Sequence, residues 1–417
     1  MSRYRWLILF LVIVIGAVCT QVRPLDAAEA KTQAETDQKS VAAGSNRFAL
    51  ELYTQIQGEA GNRVFSPYSL SSCMAMTSAG ARGKTAEQMN KALHVDLPAE
   101  RLHPALATLT ESLVSRGKKY EFELSIANAL WGQKGHPLRQ DFLELLRKSY
   151  NASLNEVDFA RNPSDARTAI NSWVEQETRG KIKELFSSGK PGADARLVLT
   201  NAVYFKGRWT IPFDRKKTSE RAFTVSPGKE VKVPFMLEYD MNAGYMDDDD
   251  LQVLELPYNG EAERWSQPKD LSMVFLLPRK ADGLPALEKK LSAENIDKWL
   301  GKLKYQDVDI CLPKFKFESR LDMTKALGSM GITEAFKPGA ADFSGMDGSR
   351  EFFLGFVIHK ACLEVNEEAT EAAAASGEGS LVGAKPGIHA DHPFVFLIRD
   401  IRTGLILFMG RVANPKE

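Results

Sequence analysis

Three groups of residues have side chains and spacings that could bind phosphate or a metal ion. Residues 80–85 are similar to a phosphate-binding loop, but Ser78 stands where that motif requires its first glycine, which favours a turn between helices. His389 and His392 could ligate a metal, yet the proline and strand pattern that follow favour ordinary loop residues. Residues 247–250 are four aspartates that lack the spaced ligands of a calcium loop, which predicts a solvated turn.

No local catalytic motif accompanies these groups. Neither a serine nucleophile elbow nor a zinc-protease helix motif occurs, although a dispersed catalytic triad would leave no such pattern. Basic and acidic side chains number 54 each, so no net basic field favours nucleic acid or a membrane surface. The cysteines beyond the N-terminal region, Cys73, Cys311 and Cys362, are odd in number and dispersed, which predicts neither a disulfide framework nor a zinc site. The missing motifs are weak evidence against an enzyme, and we expect a protein that is not an enzyme and needs no cofactor.

A stretch of small and acidic residues near the C-terminus separates two strongly apolar segments. Glu367 and Glu368 lead into a run of small side chains that extends to Ser380, between apolar residues 352–365 and 393–412. Its composition alone is typical of a flexible linker. The alternative is a loop that is exposed in one state and able to enter a packed sheet in another.

The first thirty residues predict a secretory signal peptide. Arg3 and Arg5 precede an apolar run over residues 7–18, and residues 28–30 read Ala-Glu-Ala, a small-x-small cleavage site. The apolar run is too short to cross a bilayer comfortably. The pattern predicts a secreted protein, extracellular or periplasmic.

Cys19 at the end of this run leaves a lipid anchor as a second alternative. Val18 stands where a lipoprotein site prefers Gly or Ala, so the signal peptide is favoured. Residues 31–44 are polar and predict a flexible lead-in. Residues 45–417 contain no composition break and predict a single domain.

Hydrophobic periodicity divides the remaining chain into a largely helical part and a later strand-rich part. Helical spacing is clearest over residues 165–178, and the C-terminus reads as two strands around a turn at residues 402–404. Mixed elements without strand-helix alternation favour an α+β fold. Hydrophobic residues make up 44% of the 417 residues, enough for a sizeable core.

Four long segments together resemble the serpin family of serine protease inhibitors. They occur in the family's order over about residues 44–415, and they are residues 62–88, 200–213, 359–375 and 391–415. The resemblance implies an α+β serpin fold with three β-sheets, eight or nine helices and an exposed reactive-centre loop at about residues 367–390.

The resemblance implies a one-use trap as the mechanism. A target serine protease attacks the loop and forms a covalent acyl-enzyme. The cleaved loop then inserts as a new strand into the main sheet and distorts the protease before water releases it. We expect a monomer that binds no nucleic acid and contacts no membrane beyond the alternative N-terminal anchor. A non-inhibitory serpin that binds or carries a ligand is the alternative function.

The resemblance also assigns roles to individual residues. The shutter cluster beneath the main sheet corresponds to Ser66, Ser69, Asn201 and His359. The breach, where the loop first enters the sheet, corresponds to Trp209, and Lys314 is expected to pair with Glu367. The hinge is implied at Glu367, Glu368, Ala369, Thr370, Glu371, Ala372, Ala373, Ala374 and Ala375.

The cleaved bond follows from counting along the loop. Seventeen residues from Glu367, as in the family, place Gly383 before the bond and Ala384 after it. Counting back from Pro393 instead places Val382 before the bond. Either choice suits a protease with a shallow primary pocket, elastase-like or subtilisin-like.

Overall fold

The computed structural model of the protein describes residues 27–120, 122–152, 154–187, 189–258, 270–367 and 385–417. Ten α-helices lie within these ranges: α1 Ala27–Ile56, α2 Pro67–Ser78, α3 Gly83–Ala92, α4 Ala99–Tyr120, α5 Gln140–Tyr150, α6 Pro163–Glu177, α7 Leu284–Lys290, α8 Ala293–Gly301, α9 Thr324–Ser329 and α10 Ser344–Asp347. Eight or nine helices were expected, and the shortest two, α9 and α10, account for the difference.

Fourteen strands complete the described secondary structure. They are β1 Arg63–Phe65, β2 Glu123–Gln133, β3 Leu154–Val157, β4 Leu197–Lys206, β5 Ser219–Ser226, β6 Lys229–Asp247, β7 Leu251–Tyr258, β8 Leu271–Pro278, β9 Lys304–Pro313, β10 Phe315–Asp322, β11 Leu354–Val365, β12 Gly387–His389, β13 Phe394–Asp400 and β14 Ile406–Val412. Helices predominate before β4 and strands after it, which confirms the predicted α+β class.

The five-stranded sheet has the strand order β10-β11-β4-β2-β3. Its central neighbours β11 and β4 are parallel, with a continuous register from Phe356 opposite Val198 to Leu363 opposite Phe205. The pairs β10–β11 and β2–β4 are antiparallel. A parallel pair has slanted hydrogen bonds and is slightly less stable per residue than an antiparallel pair. The boundary between β4 and β11, called the β4–β11 seam below, is therefore less strongly paired than the two antiparallel boundaries beside it.

The other nine strands form a single hydrogen-bonded sheet with the order β1-β14-β13-β8-β7-β6-β9-β12, and β5 pairs with β6. Three sheets were expected, whereas hydrogen bonding divides the described strands into two. The reason is the length of β6, whose 19 residues pair with β5 and β9 along most of the strand and with β7 at its end.

The core lies on both faces of the five-stranded sheet. The larger cluster packs β4 and β11 residues such as Leu199 and Leu363 against α2 and the nine-stranded sheet. A smaller cluster on the opposite face packs Ala202 and Ile358 against Ile170 and Val174 of α6. Because both faces are covered, the two central strands are almost entirely buried.

The predicted flexible lead-in over residues 31–44 is wrong, because the structure places these residues in α1. They are rich in Ala, Gln, Glu and Lys, which have high helix propensity. The helix also buries Asp37, which accepts a 3.1 Å hydrogen bond from Arg101 Nε of α4, and Ala42, which is fully buried. Composition alone predicts disorder here, because the local sequence does not show that a helix distant in the chain supplies the few buried contacts.

The predicted N-terminal signal segment lies almost wholly outside the described residues. The predicted cleavage site at residues 28–30 falls in the first turn of α1, and Cys19 and Val18 precede the described chain. No helix in the described ranges has the length and apolar character needed to cross a membrane.

Candidate functional site

The ends of β4 and β11 and the start of β10 bring the predicted breach residues together. Parallel strands end at the same edge of a sheet, so the segments after β4 and after β11 are neighbours. Trp209 follows β4, and its Nε1 donates a 2.8 Å hydrogen bond to the carbonyl oxygen of Asn366, the first residue after β11. The Trp209 ring stacks on Tyr258 with 4.4 Å between centroids, so its position is fixed.

Glu367 is anchored at this same edge of the sheet. Lys314, just before β10, places its Nζ 2.7 Å from Glu367 Oε2, and Thr218 Oγ1 donates to Oε1 at 2.7 Å. The residue is only 5% exposed. Burial would raise the pKa of this carboxyl group, but the hydrogen bonds from Lys314 and Thr218 outweigh it and hold the pKa below its ordinary value. The start of the loop is therefore a fixed, charged anchor.

The four residues predicted to form the shutter cluster meet beneath the centre of the five-stranded sheet. Ser66 caps α2: its side chain accepts the N–H of Ser69 at 3.2 Å, and Pro67 fills the first helical position. Asn201 Nδ2 donates to Ser69 Oγ at 2.6 Å. His359 Nε2 accepts the N–H of Ser66 at 3.0 Å. The cap of α2 is thus tied to two strands of the sheet.

His359 also hydrogen-bonds across the β4–β11 seam, through Nδ1 to Asn201 Oδ1. Since Nε2 accepts from Ser66, the neutral ring must carry its proton on Nδ1 and donate it to Asn201. Complete burial lowers the pKa of His359 to about 3, because the interior disfavours the charged ring. The imidazole is therefore a neutral latch between the two parallel strands.

Asn128 completes this cluster, and it was missed at the level of sequence. It lies on β2 opposite Asn201, and Asn201 lies on β4 opposite His359, so the three residues form one row across three strands. Asn201 Nδ2 hydrogen-bonds to Asn128 Oδ1, and Ser69 Oγ lies 3.5 Å from the same oxygen. A polar residue in the middle of an apolar strand was the available signal, but only the register identifies its partners.

The far end of the loop is attached to the other sheet. Lys385 Nζ lies 2.6 Å from Asp240 Oδ1 of β6, and the N–H of Asp309 on β9 donates to the carbonyl oxygen of Pro386 at 3.0 Å. β12 then pairs in parallel with β9. Seventeen residues separate Glu367 from Lys385, so the two anchors lie at the ends of a long segment.

The remaining predicted site residues lie outside the described residues. They are the hinge positions Glu368, Ala369, Thr370, Glu371, Ala372, Ala373, Ala374 and Ala375, and the reactive-bond residues Val382, Gly383 and Ala384.

The alternative ligand sites have ordinary structural partners. Residues 80–82 lie between α2 and α3 and residues 83–85 form the start of α3, so the predicted turn between helices is confirmed. His392 contacts Asp391 Oδ1 at 2.7 Å and the carbonyl oxygen of Pro278 at 2.7 Å. Among the described residues no group of three His, Cys, Asp or Glu side chains is arranged to hold a metal ion.

Comparison with known proteins identifies the family. The family model described as serpin, serine protease inhibitor, matches residues 43–415. The chain is 39% identical to the leukocyte elastase inhibitor of Xenopus laevis over 386 residues, which span 90% of this chain and 100% of that protein. It is 38% identical to the human leukocyte elastase inhibitor over 389 residues, with the same coverage.

The fold comparison agrees. The crystal structure of mouse protein-Z dependent protease inhibitor superposes with a TM-score of 0.81 at 27% identity, and the match covers 92% of this chain and 99% of that one. The family model spans nearly the whole described domain, and the relatives match over their full length. The chain therefore belongs to the serpin family.

Proposed function

We propose that this protein is a secreted, one-use inhibitor of an elastase-like or subtilisin-like serine protease, which it traps as a covalent acyl complex. The observation that carries the proposal is the parallel β4–β11 seam, with the start of the predicted loop attached at the C-terminal end of β11. A chain that leaves the end of β11 and turns back runs antiparallel to both strands of this seam.

The chemistry comes from the protease. Its serine Oγ attacks the carbonyl carbon of Gly383, the bond to the nitrogen of Ala384 breaks, and the Ala384 amine leaves with the proton from the serine. The carbonyl of Gly383 is then an ester of the protease serine. The segment that ends at Gly383 is free to move because it is no longer joined to Lys385.

Insertion has a clear driving force. A new strand in the seam replaces one parallel ladder by two antiparallel ladders, which adds backbone hydrogen bonds and improves their geometry. Gly383 is sixteen residues after Glu367. At about 3.3 Å per residue a strand over this span reaches about 50 Å, longer than the roughly 40 Å of twelve-residue β11. The inserted strand would carry the protease past the far end of the sheet.

The side chains of the loop suit fast insertion. In a strand, alternate residues share a face, and Thr370, Ala372, Ala374 and Ser376 would all turn towards the same side. Their small size lets them pass between packed strands. Ala369, where inhibitory family members commonly have glycine, and Glu378, whose carboxylate would turn inward late, are the two positions expected to slow the process.

The choice of protease rests on the residues before the predicted bond. Gly383 and the alternative Val382 both suit a shallow primary pocket. The relatives named leukocyte elastase inhibitor support an elastase-like target. The pattern of residues 1–30 supports export of the protein.

The test is to mix the purified protein with pancreatic elastase and, separately, with subtilisin, and to analyse the products on denaturing gels and by intact-mass spectrometry. We expect a complex that resists denaturant, with a mass equal to the protease plus the protein truncated at residue 383 or 382, less one water. If the protein is only cleaved by every protease tried, and its thermal midpoint does not rise on cleavage, the proposal is wrong and a non-inhibitory serpin is favoured.

A further inference from the structure

A cleft of about 520 Å³ lies on the face of the five-stranded sheet that α6 covers, between residues 180–187 and the strands β10 and β11. The volume is within the range of about 300–1,000 Å³ that is typical of small-molecule sites. Four of the side chains that line the cleft are basic and two are acidic, so the lining has a net formal charge of +2; they are Lys181, Lys183, Arg320, Lys360, Glu184 and Glu318. This charge indicates an anionic ligand.

One wall of the cleft, the 180–187 segment, is fixed to the body of the protein. Asn171 of α6 donates from Nδ2 to the carbonyl oxygen of Phe186 at 2.8 Å, and its Oδ1 accepts the N–H of Phe186 at 2.9 Å. Leu185 and Phe186 are fully buried in the hydrophobic cluster beneath α6. The cleft is therefore formed before any ligand arrives, which lowers the entropy lost on binding.

Lys360 supplies a buried cation to the cleft. It lies on β11 and is 6% exposed, and its Nζ contacts the carbonyl oxygen of Glu184 at 2.8 Å and Glu318 Oε1 at 2.9 Å. An ammonium group has three N–H donors, and these two oxygens are its only hydrogen-bond partners in the described part of the chain. One donor of Lys360 is therefore available to a ligand, in surroundings where charges interact more strongly than in bulk water.

Arg320 and Lys183 add two cations that have no carboxylate partner. Arg320 Nε donates to the carbonyl oxygen of Leu185, and its guanidinium carbon lies 5.9 Å from the centroid of the Phe186 ring. These contacts fix the side chain and leave the terminal NH₂ groups of the guanidinium to a ligand. Neither Arg320 nor Lys183 forms an ion pair with any residue that the structure describes, although both line the cleft.

The donors and the charge of the cleft select the class of anion. A phosphate monoester carries a charge of about −1.5 to −2 at pH 7 and offers three strong acceptor oxygens. An arginine binds such a group through two parallel hydrogen bonds, and a lysine binds it as a point charge. A sulfate ester has a single negative charge and would leave the lining uncompensated.

We propose that the cleft between the 180–187 segment and strands β10 and β11 binds a dianionic phosphate group through Arg320, Lys183 and Lys360. The phosphate is either free or part of a small molecule. Lys360 follows His359 on β11 and faces the opposite side of the sheet, because neighbouring strand residues alternate between the two faces. The site is thus separate from the shutter cluster and does not depend on the inhibitory function proposed above.

The position of the cleft gives the ligand an effect on stability. The 180–187 segment shares its hydrophobic cluster with Ala202 of β4 and Ile358 of β11, so it packs over the β4–β11 seam. A phosphate held by both Lys183 and Arg320 joins this segment to β10. Since this arrangement exists only in the folded protein, the ligand should raise the thermal midpoint of the uncleaved chain.

The experiment titrates the purified, uncleaved protein with glucose 6-phosphate, glucose 6-sulfate, glucose and inorganic phosphate by isothermal calorimetry at low ionic strength, where screening is weak. Glucose 6-phosphate should bind at least about tenfold more tightly than glucose 6-sulfate, because it carries the second charge. Its affinity should fall between pH 7.5 and pH 5.5, since the second pKa of the ester is about 6. The tighter of glucose 6-phosphate and inorganic phosphate identifies whether the site recognises an ester or the free anion.

Four variants locate the site. Lys183→Gln and Arg320→Gln should each weaken phosphate binding about tenfold, the loss of one charge-assisted contact. Glu184→Gln should strengthen it, because the variant removes an opposing carboxylate from the lining. Lys91→Gln, which changes an exposed lysine of α3, is the matched control and should bind as wild type. The thermal midpoint without ligand monitors folding, and Lys183→Gln should leave it unchanged.

Three results overturn the inference. Absence of binding by both glucose 6-phosphate and inorganic phosphate removes the site. Equal affinities for glucose 6-phosphate and glucose 6-sulfate contradict recognition of a dianion. Wild-type affinity in Lys183→Gln places any binding elsewhere, and this variant decides the matter even if Arg320→Gln loosens its contact with Leu185. None of these measurements involves a protease, so their failure leaves the proposed inhibitory function untouched.

Discussion

Acid should weaken the native protein through His359, the buried latch across the β4–β11 seam. In the native state the pKa of this imidazole is lowered to about 3, whereas an unfolded histidine titrates near about 6.5. Between these values the unfolded chain binds a proton that the native chain does not, so the free energy of unfolding rises with pH and falls on acidification. The contribution of the neutral, buried His359 to the free energy of unfolding is complete above about pH 6.5 and is lost progressively down to about pH 3.

The two pKa values set the magnitude. At pH 5 the unfolded histidine is almost fully protonated and the native one is not, which costs about 2 kcal/mol relative to neutral pH. The physical cause is specific. A protonated ring would place an N–H at Nε2 directly against the donating N–H of Ser66, and it would introduce a charge into a fully buried site.

The assay is urea unfolding of the native state at pH 7.5 and pH 5.0, for the wild type and His359→Gln, with His389→Gln as an exposed histidine control on β12. Titration of carboxyl groups is common to all three proteins and cancels in the comparison. His359→Gln should be less stable at pH 7.5 but should lose about 2 kcal/mol less than wild type on acidification, and His389→Gln should behave as wild type. Equal acid losses in wild type and His359→Gln would refute the neutral-latch interpretation.

Three further changes test other parts of the molecule. Lys314→Met should leave the buried Glu367 carboxylate with Thr218 as its partner and lower the free energy of unfolding by about 1–2 kcal/mol. The loss is smaller than for a fully buried pair because Lys314 is one-third exposed. Thermal unfolding at a fixed scan rate measures the effect, and an unchanged midpoint would contradict the role of Lys314 in anchoring Glu367. Deletion of residues 31–40 should lower the same midpoint because α1 loses its contact with α4, whereas a flexible lead-in would leave it unchanged. Ser376→Val should reduce the rise in midpoint that follows loop cleavage, measured on the cleaved protein, and a full rise would refute the pairing argued below.

The fold class was accessible from sequence for a physical reason. Strand and helix periodicities depend on local burial, so α6 and the C-terminal strand pair appear where they were predicted. The contact between Trp209 and the end of β11 was available only through family resemblance, since nothing in the local pattern shows that β4 and β11 are parallel neighbours.

The features that the sequence did not predict depend on contacts between residues that are distant in the chain. Helix α1 was predicted as flexible over residues 31–44 because its stabilising partner, Arg101, lies on a helix more than fifty residues away. Asn128 was overlooked because its role depends on the register between β2 and β4. Each miss concerns a contact that only the assembled fold creates.

The hydrogen-bonded row of Asn128, Asn201 and His359 imposes a cost on insertion that the loop must offset. A strand that enters the β4–β11 seam separates His359 from Asn201 and leaves a buried donor and a buried acceptor without partners, at about 1–3 kcal/mol each. In an antiparallel return that turns at Glu367 and Glu368, residues equidistant from this pair lie opposite one another. His359 is eight residues before Glu367, and Ser376 is eight residues after Glu368. Ser376 therefore arrives level with the row and brings a hydroxyl that can both donate and accept, which is why a polar residue, and not a fifth alanine, suits this position of the loop.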